Sequence, residues 1–419
     1  MTRPVYVHDL DALAAHVDAI RAALPSPVEL LYAVKANPEP GVLRTLAPVV
    51  DGFEAASRGE LRRLAEVLPG RAPAAYAGPG KTDADLAAAL AAGVHRIHVE
   101  SPAELRRLGA LAVASGRSVP VLLRVNLPVD APGASLLMGG GPSPFGMDPA
   151  DVIECARRPP AGIDVRGVHA HLASGLDAPL AATLAAAVVR WAADEVGAVE
   201  VDVGGGMAVD YADPTARFDW AGYGRALADV VDAHPTVRLR IEPGRSVTAY
   251  CGAYLTEVVD VKRSYGEWFV VVAGGTHHLR TPAAKGHPQP FTVHRRRGPD
   301  AVRTDGGPVT VVGQLCTPKD VLSFSTTAGP IGVGDVLAFA MAGAYAWNIS
   351  HRDFLLHEPP LFRTGDPQKV AAEWAARRGD VVRHAGRVTV PKRERGEVVA
   401  PPAGRPGAAG DSPHEDQSR

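Results

Sequence analysis

The chain has 419 residues, which is enough for two domains with cores of their own. Its 44 lysines and arginines nearly balance 46 acidic residues, which excludes the basic excess typical of nucleic-acid binding and the acidic excess typical of a disordered chain. Three cysteines are too few for a disulfide framework, and no stretch approaches the roughly 20 apolar residues of a membrane span. The N-terminus also lacks the apolar core of a signal peptide, so we expect a cytoplasmic protein without nucleic-acid or membrane partners.

Over the first 250 residues, short β-rich runs alternate with Ala- and Leu-rich amphipathic runs, such as residues 102–115 and 179–193. Alternating β and α units predict a parallel sheet, and eight such units predict a closed (β/α)8 TIM barrel over residues 26–245. An open doubly wound sheet is the structural alternative. The eight predicted strands are Val28–Val34, Val49–Glu54, Ala74–Ala77, Arg96–Val99, Val119–Val125, Val165–Leu172, Val199–Val203 and Val237–Ile241.

From residue 246 the pattern changes to short β-rich runs separated by Gly- and Pro-rich turns, which predicts an antiparallel β domain over residues 1–25 and 246–385. Its predicted strands include Tyr254–Lys262, Trp268–Ala273, Val309–Gly313 and Val336–Ala340, and Val5–Val7 is a candidate to pair with them. An irregular loop, Pro128–Met147, interrupts the barrel and is long enough to be functional or mobile. Residues 386–419 are rich in Pro, Gly and charge and are predicted to be a disordered tail.

Chemically active side chains follow the predicted barrel strands where those strands end. Active sites of such barrels lie at the C-terminal ends of the strands, so these groups are expected to face one opening. They are Lys35, Glu54, Glu100, Arg124, His169, His171, Gly204–Gly206, Glu242 and Arg245.

Each of these residues also has a structural interpretation. Lys35 could be a surface lysine whose stem covers apolar groups, although a lysine that closes a buried strand is costly without a partner, and its amine suits a covalent bond to an aldehyde cofactor. Gly204–Gly206 could be a simple turn, or a backbone that approaches a phosphate. Arg245 could form a surface ion pair or bind that phosphate, and His171 could be a core histidine or stack on a planar cofactor.

Together these segments resemble the fold-type III pyridoxal 5'-phosphate (PLP)-dependent decarboxylases, the group that contains diaminopimelate and ornithine/arginine decarboxylases. The resemblance covers residues 4–360. It rests on motifs in the family's order, namely Tyr32-Ala33-Val34-Lys35-Ala36-Asn37, His171-Leu172-Ala173-Ser174, Gly204-Gly205-Gly206, Glu242-Pro243-Gly244-Arg245, Gly313-Gln314-Leu315-Cys316 and Gly343-Ala344-Tyr345.

The resemblance implies a role for each matching residue. Lys35 would hold PLP covalently, His171 would stack on its ring and Glu242 would bind its ring nitrogen. Family members are typically homodimers with shared sites, so Cys316, the family's candidate proton donor, and Asp320 would reach the partner's cofactor. The phosphate would be held by the set Ser174, Gly205, Gly206, Gly244, Arg245 and Tyr345.

Glu242 also bears on the reaction. Alanine racemases share the barrel but place an arginine at the ring nitrogen, so an ionised Glu242 favours decarboxylation. The sequence around the expected substrate site is similar to a secondary-metabolite subgroup that decarboxylates conjugated amino acids, in siderophore pathways among others. A cationic and imidazole-rich wall of His277, His278, Arg280 and His287 suits an amino acid that carries extra carboxylates, such as a citryl-type conjugate.

Several alternatives stay open at this point. Diaminopimelate decarboxylase and an ornithine-type decarboxylase are the nearest enzymatic ones, and a non-catalytic PLP-binding protein is the non-enzymatic one. The histidines of residues 277–287 could instead bind zinc, although no thiol or acid lies at the usual ligand spacing, so no metal is expected. A lone cysteine would be interpreted as a small buried hydrophobic residue, but the motif around Cys316 favours the catalytic interpretation.

Overall fold

The structure is a computed structural model that describes residues 3–70, 74–280, 286–296, 302–376 and 382–383. Its strands are β1 (Val5–His8), β2 (Glu29–Ala33), β3 (Gly52–Ala55), β4 (Ala74–Tyr76), β5 (Arg96–Val99), β6 (Val119–Arg124), β7 (Leu136–Leu137), β8 (Ile163–His169), β9 (Ala173–Ser174), β10 (Glu200–Asp202), β11 (Arg238–Ile241), β12 (Gly252–Ser264), β13 (Glu267–Val272), β14 (Phe291–Arg295), β15 (Pro308–Val312), β16 (Val321–Thr327), β17 (Val336–Phe339), β18 (Leu361–Thr364) and β19 (Val382–Arg383). Its α-helices are α1 (Leu10–Ala23), α2 (Pro40–Leu46), α3 (Arg58–Val67), α4 (Asp83–Ala92), α5 (Pro102–Ala114), α6 (Pro149–Arg157), α7 (Ala178–Trp191), α8 (Trp220–Ala233), α9 (Arg245–Thr248) and α10 (Pro367–Ala376). Among these described residues, no helix is long and apolar enough to cross a bilayer.

Eight parallel strands form a closed barrel in the order β2-β3-β4-β5-β6-β8-β10-β11. The last strand pairs with the first through Arg240↔Glu29 and Ile241↔Leu30, which confirms the barrel and excludes the open sheet. Local sequence signals position the surrounding helices. A capping box of Thr82 and Asp85 begins α4, and Ser101 caps α5 directly before Pro102.

The N-terminal end of the barrel interior is ionic rather than apolar. Glu200 accepts from Arg96 at 2.7 and 2.5 Å and from Arg240 at 2.7 Å, and Arg240 also binds Glu29. These side chains come from four different strands and contact one another, so they form one layer of the barrel interior. We call this set, Glu29, Arg96, Glu200 and Arg240, the paired layer.

The second domain is a nine-stranded sheet centred on the long strand β12. As expected, β1 joins it, with Val5 opposite Leu255 and Tyr6 opposite Tyr254. The sheet is mostly antiparallel, but β13 pairs with β15, and β1 with β18, in parallel. The tail of residues 386–419 lies outside the described residues.

Helix α1 differs from the assignment of residues 1–25 to the second domain. Its buried residues Leu13, Val17 and Ile20 belong to the same apolar core as the barrel strands and helices. The amphipathic pattern of α1 therefore covers the barrel, and only the short segment of β1 crosses to the second sheet.

The loop Pro128–Met147 is more regular than its sequence indicated. Within it, β7 pairs antiparallel with β9, with Leu136 opposite Ser174 and Leu137 opposite Ala173. The main-chain N–H of Ser135 also donates to the Ser174 carbonyl at 2.8 Å. The predicted strand Val165–Leu172 accordingly ends at His169, and the following residues pair with the loop.

Candidate active site

A cleft of about 690 Å³ opens at the C-terminal ends of the barrel strands. A volume in this range accommodates a cofactor together with a small substrate. Nearly all of its lining residues come from the barrel. The second domain contributes His287 and Tyr345.

Lys35 lies on the floor of this cleft, in a single 3-10 turn (Val34–Ala36) that follows β2. Its Nζ is 2.5 Å from Oε2 of Glu54, whose side chain is 1% exposed at the end of β3. Burial lowers the pKa of the lysine, but the Glu54 carboxylate, with smaller contributions from Tyr345 and Glu242, outweighs burial and raises it above its ordinary value. The amine is therefore held as a charged, ordered group that faces the cleft.

Glu242 follows β11 and lies deeper, with His169 beside it. The two side chains are 3.2 Å apart between Glu242 Oε2 and His169 Nε2, while Glu242 Oε1 has no hydrogen-bond partner in the described part of the chain. Burial, followed by repulsion from Asp202, raises the pKa of Glu242 well above its ordinary value. An unpartnered buried carboxyl oxygen that lines the cleft is suited to bind a donor of a ligand.

His171 and Ser174 lie on the segment after β8, on one wall of the cleft. The main-chain N–H of Gly205 donates to His171 Nδ1 at 3.2 Å, which leaves the ring proton on Nε2. Burial lowers the pKa of His171 to about 3, so the imidazole is neutral. A neutral, oriented ring is suited to stack on an aromatic cofactor.

Arg245 lies at the far end of the cleft and is held by two tyrosines. Its Nη1 donates to the Tyr211 hydroxyl at 2.8 Å, and its guanidinium is 4.5 Å from the centre of the Tyr345 ring. Gly244 precedes it, and a Cβ there would be 2.9 Å from Ala36 Cβ. An oriented guanidinium beside two hydroxyls is suited to bind a phosphate.

The triglycine Gly204–Gly206 is required by close packing of the backbone. A Cβ on Gly205 would lie 2.4 Å from the Glu242 carbonyl oxygen, and one on Gly206 would lie 2.3 Å from the Ala173 carbonyl oxygen. Gly206 also has a φ of +99°, which disfavours other residues. These glycines bring the loops after three strands into contact around Arg245.

The predicted substrate residues Cys316, Asp320, His277 and Arg280 do not line this cleft in the single chain. Cys316 is exposed on the second domain. Asp320 is buried and accepts from the main-chain N–H groups of Thr276 at 2.6 Å and Leu315 at 2.8 Å, so it ties two loops together. A substrate contact by Asp320 stays a prediction, and it would require the carboxylate to leave these partners.

The expectation of a cationic histidine wall is wrong for two of its members. Burial lowers the pKa of His277 to about 4 and that of His278 to about 3, so both rings are neutral near pH 7. His278 Nε2 donates to the Glu358 carbonyl at 2.8 Å, and Nδ1 lies 3.1 Å from the Tyr254 hydroxyl. With both nitrogens engaged, His278 has no lone pair for zinc. His287 alone of the predicted wall lies in the cleft, and residues 281–285 are outside the described part.

Several cleft residues have contacts that their sequence positions do not indicate. Glu54 and Arg124 were recognised only as strand-end residues, yet Arg124 donates to Glu100 at 2.8 Å and lies 4.9 Å from the Phe145 ring centre. The pairing Ala33↔Glu54 brings Glu54 to Lys35. In the sequence, only the position of both residues at the ends of predicted strands indicated that they could meet. Nothing in the sequence indicated that Tyr211 would reach Arg245.

A family model described as the pyridoxal binding domain of pyridoxal-dependent decarboxylases matches residues 10–249, more than half of the chain. The chain belongs to the pyridoxal-dependent decarboxylases. The match begins at the first residue of α1, in agreement with the packing of that helix on the barrel. The family expectation is confirmed, and a non-catalytic PLP-binding protein is no longer an alternative.

The similarity to named relatives extends beyond the barrel. The 2-[(L-alanin-3-ylcarbamoyl)methyl]-2-hydroxybutanedioate decarboxylase of Staphylococcus aureus is 38% identical over 85% of this chain and 92% of its own. A diaminopimelate decarboxylase of Vibrio cholerae is 32% identical over 83% of this chain and 84% of its own. The structure of Helicobacter pylori diaminopimelate decarboxylase with L-lysine has a TM-score of 0.77 over 87% of this chain and 92% of that chain, at 24% identity, which establishes the shared fold.

The residues of the cleft fit PLP. An amine, an unpartnered carboxyl oxygen, a neutral imidazole face and an arginine beside two hydroxyls lie around one cavity. These match in number and type the aldehyde, ring nitrogen, ring face and phosphate of the cofactor. The enzyme is therefore a PLP-dependent decarboxylase.

Proposed function

We propose that this enzyme removes the α-carboxylate from the amino-acid end of a carboxylate-rich conjugate, in siderophore-like biosynthesis. The observation that carries this is the 38% identity to the S. aureus decarboxylase, whose name describes an alanine joined through a carbamoylmethyl group to a 2-hydroxybutanedioate. The cleft volume of about 690 Å³ supports a substrate larger than a free amino acid.

The roles of individual residues follow from their positions. Lys35 provides the amine that holds the cofactor, and Glu54 keeps this amine ordered at 2.5 Å. Glu242 would bind the ring nitrogen, and His171 would present its neutral ring to the face of the cofactor. The phosphate would be bound by the set Ser174, Gly205, Gly206, Gly244, Arg245 and Tyr345, and Tyr211, whose hydroxyl accepts from Arg245, would orient that arginine.

Bound PLP supplies an electron sink for the electron pair that stays on Cα when carbon dioxide leaves. Glu242 would keep a proton at the ring nitrogen. Its carboxyl is buried, with 6% of the residue exposed, so water is excluded from this contact. A proton must then reach Cα, and Cys316 of a second subunit is the proposed donor.

A homodimer is part of this proposal. The segment after Tyr345 lies beside the cleft, since the Asn348 side chain donates to the Lys35 carbonyl at 2.5 Å. It exposes apolar side chains, with Phe354 at 45%, Leu355 at 46% and Leu356 at 88%. A second copy that covers this patch would bring its own Cys316 and Arg280 towards the cleft and would supply the cation that the buried histidines do not.

Release of carbon dioxide from a matched substrate panel tests the proposed substrate. The panel contains the alanine conjugate named for the S. aureus relative, free 2,3-diaminopropionate without the added carboxylates, and meso-diaminopimelate. We expect the conjugate to be preferred over 2,3-diaminopropionate by roughly 100-fold in kcat/KM, since each lost charged contact costs about 1.5–3 kcal/mol. Preference for meso-diaminopimelate would contradict the proposal and favour the second candidate, which the 32% identity to the V. cholerae enzyme supports.

A further inference from the structure

A second polar layer lies directly above the paired layer in the barrel interior. Its members come from β5, β10 and the end of β11. Each lies two residues beyond a member of the paired layer on the same strand, so both sets point into the barrel. The three residues of the upper layer are His98, Asp202 and Glu242.

The two layers differ in how their polar atoms are satisfied. In the paired layer every carboxylate binds an arginine, and the one buried atom without a hydrogen-bond partner among the described residues is Nη2 of Arg240. In the upper layer both ring nitrogens of His98, Oδ2 of Asp202 and Oε1 of Glu242 have no hydrogen-bond partner among the described residues, although His98 and Asp202 are completely buried. Buried polar atoms without partners are costly and rare, so the upper layer is organised for something other than stability.

His98 lies between the two carboxyl groups. Its Nδ1 is 3.9 Å from Glu242 Oε1 and its Nε2 is 4.0 Å from Asp202 Oδ2, which is beyond hydrogen bonding but within a movement of about 1 Å. Its ring stacks on His169 with centroids 4.3 Å apart and planes at 21°. The donor atoms of His98, His169 and Glu242 lie within 4.8 Å of one another, but stacked rings direct their in-plane lone pairs side by side rather than at one metal ion.

The charge of this cluster is also unusual. Burial, followed by repulsion from Asp202, raises the pKa of Glu242 well above its ordinary value, and burial raises that of Asp202 to about 6, so burial favours a proton on this pair. Burial lowers the pKa of His98 and of His169, so both imidazoles are neutral. The other charged groups that act on these residues are Lys35, Glu54, Lys81, Arg124 and Arg240.

We propose that His98 is a positioning residue that, with Asp202 and His169, keeps a transferable proton on Glu242 for the ring nitrogen of the cofactor. This rests on the proposed function, because it places the ring nitrogen at Glu242. With the cofactor bound, the Glu242 carboxyl would give its proton to the ring nitrogen and become a carboxylate, and the N–H groups of His98 and His169 would then donate to that carboxylate. No other reactant is required.

Cofactor binding to the apoprotein tests this without an activity assay. Dissociation constants are measured for PLP and for its analogue in which C–H replaces the ring nitrogen, and their ratio is compared between variants. His98→Phe keeps the stacked ring but removes both nitrogens, and we expect it to reduce the preference for PLP about tenfold. Glu242→Gln gives the lowest preference for PLP that is expected in this series. His98→Gln can still donate a hydrogen bond and should retain part of the preference.

His294→Phe is the matched control, because His294 is a buried histidine in β14, on the second sheet. It should leave the preference for PLP unchanged. Equal weakening of PLP and analogue by His98→Phe, or loss of preference in the control, would overturn the proposal. If His98→Phe does not fold, His98→Gln carries the comparison. Failure of the proposed function would look different, since the wild-type protein would then form no borohydride-stable PLP adduct that depends on Lys35.

Discussion

Replacement of Glu54 by glutamine tests how the cleft prepares Lys35. The amine must lose its proton before it can attack an aldehyde, and the Glu54 carboxylate 2.5 Å away raises its pKa. An opposite charge at this distance changes such an ionisation about tenfold to 1000-fold. Because 42% of the Lys35 side chain is accessible to solvent in the cleft, screening places the effect near the lower limit. We therefore expect Glu54→Gln to contain about tenfold more neutral amine at a given pH.

The rate at which PLP becomes covalently attached to the apoprotein, followed by absorbance between pH 6.5 and 9, measures this directly. The variant should react about tenfold faster at each pH, since the pKa of the amine lies above this range in both proteins. Binding of pyridoxamine phosphate, which has no aldehyde, reports non-covalent affinity separately, and Glu154→Gln, which removes an exposed ion pair with Arg158, is the control. An equal or slower rate with unchanged pyridoxamine phosphate affinity would refute the reasoning.

Three further predictions concern the ring nitrogen, the phosphate and the barrel interior. Glu242→Ala should leave PLP bound but lower kcat by roughly 100-fold or more, the scale of a positioned electrostatic group, and near-normal steady-state turnover would contradict this. Tyr211→Phe removes the 2.8 Å bond to Arg245 and should weaken PLP several-fold but not pyridoxal, which lacks the phosphate; an equal loss for both in equilibrium dialysis would show that Tyr211 does not act on the phosphate. The paired arginines outweigh burial and lower the pKa of Glu200 from 4.5 to about 2, so its contribution to stability is complete above pH 4.5 and is lost as the pH falls towards 2. Glu200→Gln should lower the free energy of unfolding by about 3–5 kcal/mol near pH 7 and should remove that acid-sensitive part in chemical denaturation; a wild-type pH profile in the variant would argue against it.

The pattern of the sequence predicted the barrel because eight short β-rich runs alternate with amphipathic helical runs. The same local signals predicted which end of each strand would carry Lys35, His171 and Glu242. Contacts between residues of different strands were harder to predict from the sequence. Glu54 and Lys35 are 19 residues apart, and only the register Ala33↔Glu54 shows that they meet.

The substrate side was harder to predict because charge depends on burial. His277 and His278 read as cations in the sequence, but the second sheet buries both, and burial lowers their pKa values. Helix α1 was assigned to the wrong core for a related reason. Its apolar stripe shows that one face is buried, but not which of two domains covers it.

The position of the covalent cofactor tests the central claim most directly. The protein is incubated with PLP, reduced with borohydride, digested and analysed by mass spectrometry, with Lys35→Ala treated in parallel. We predict that the reduced pyridoxyl group is found on the peptide that contains Lys35 and is absent from the variant. Stoichiometric labelling of another lysine, such as the buried Lys81, or undiminished labelling of Lys35→Ala, would contradict the account.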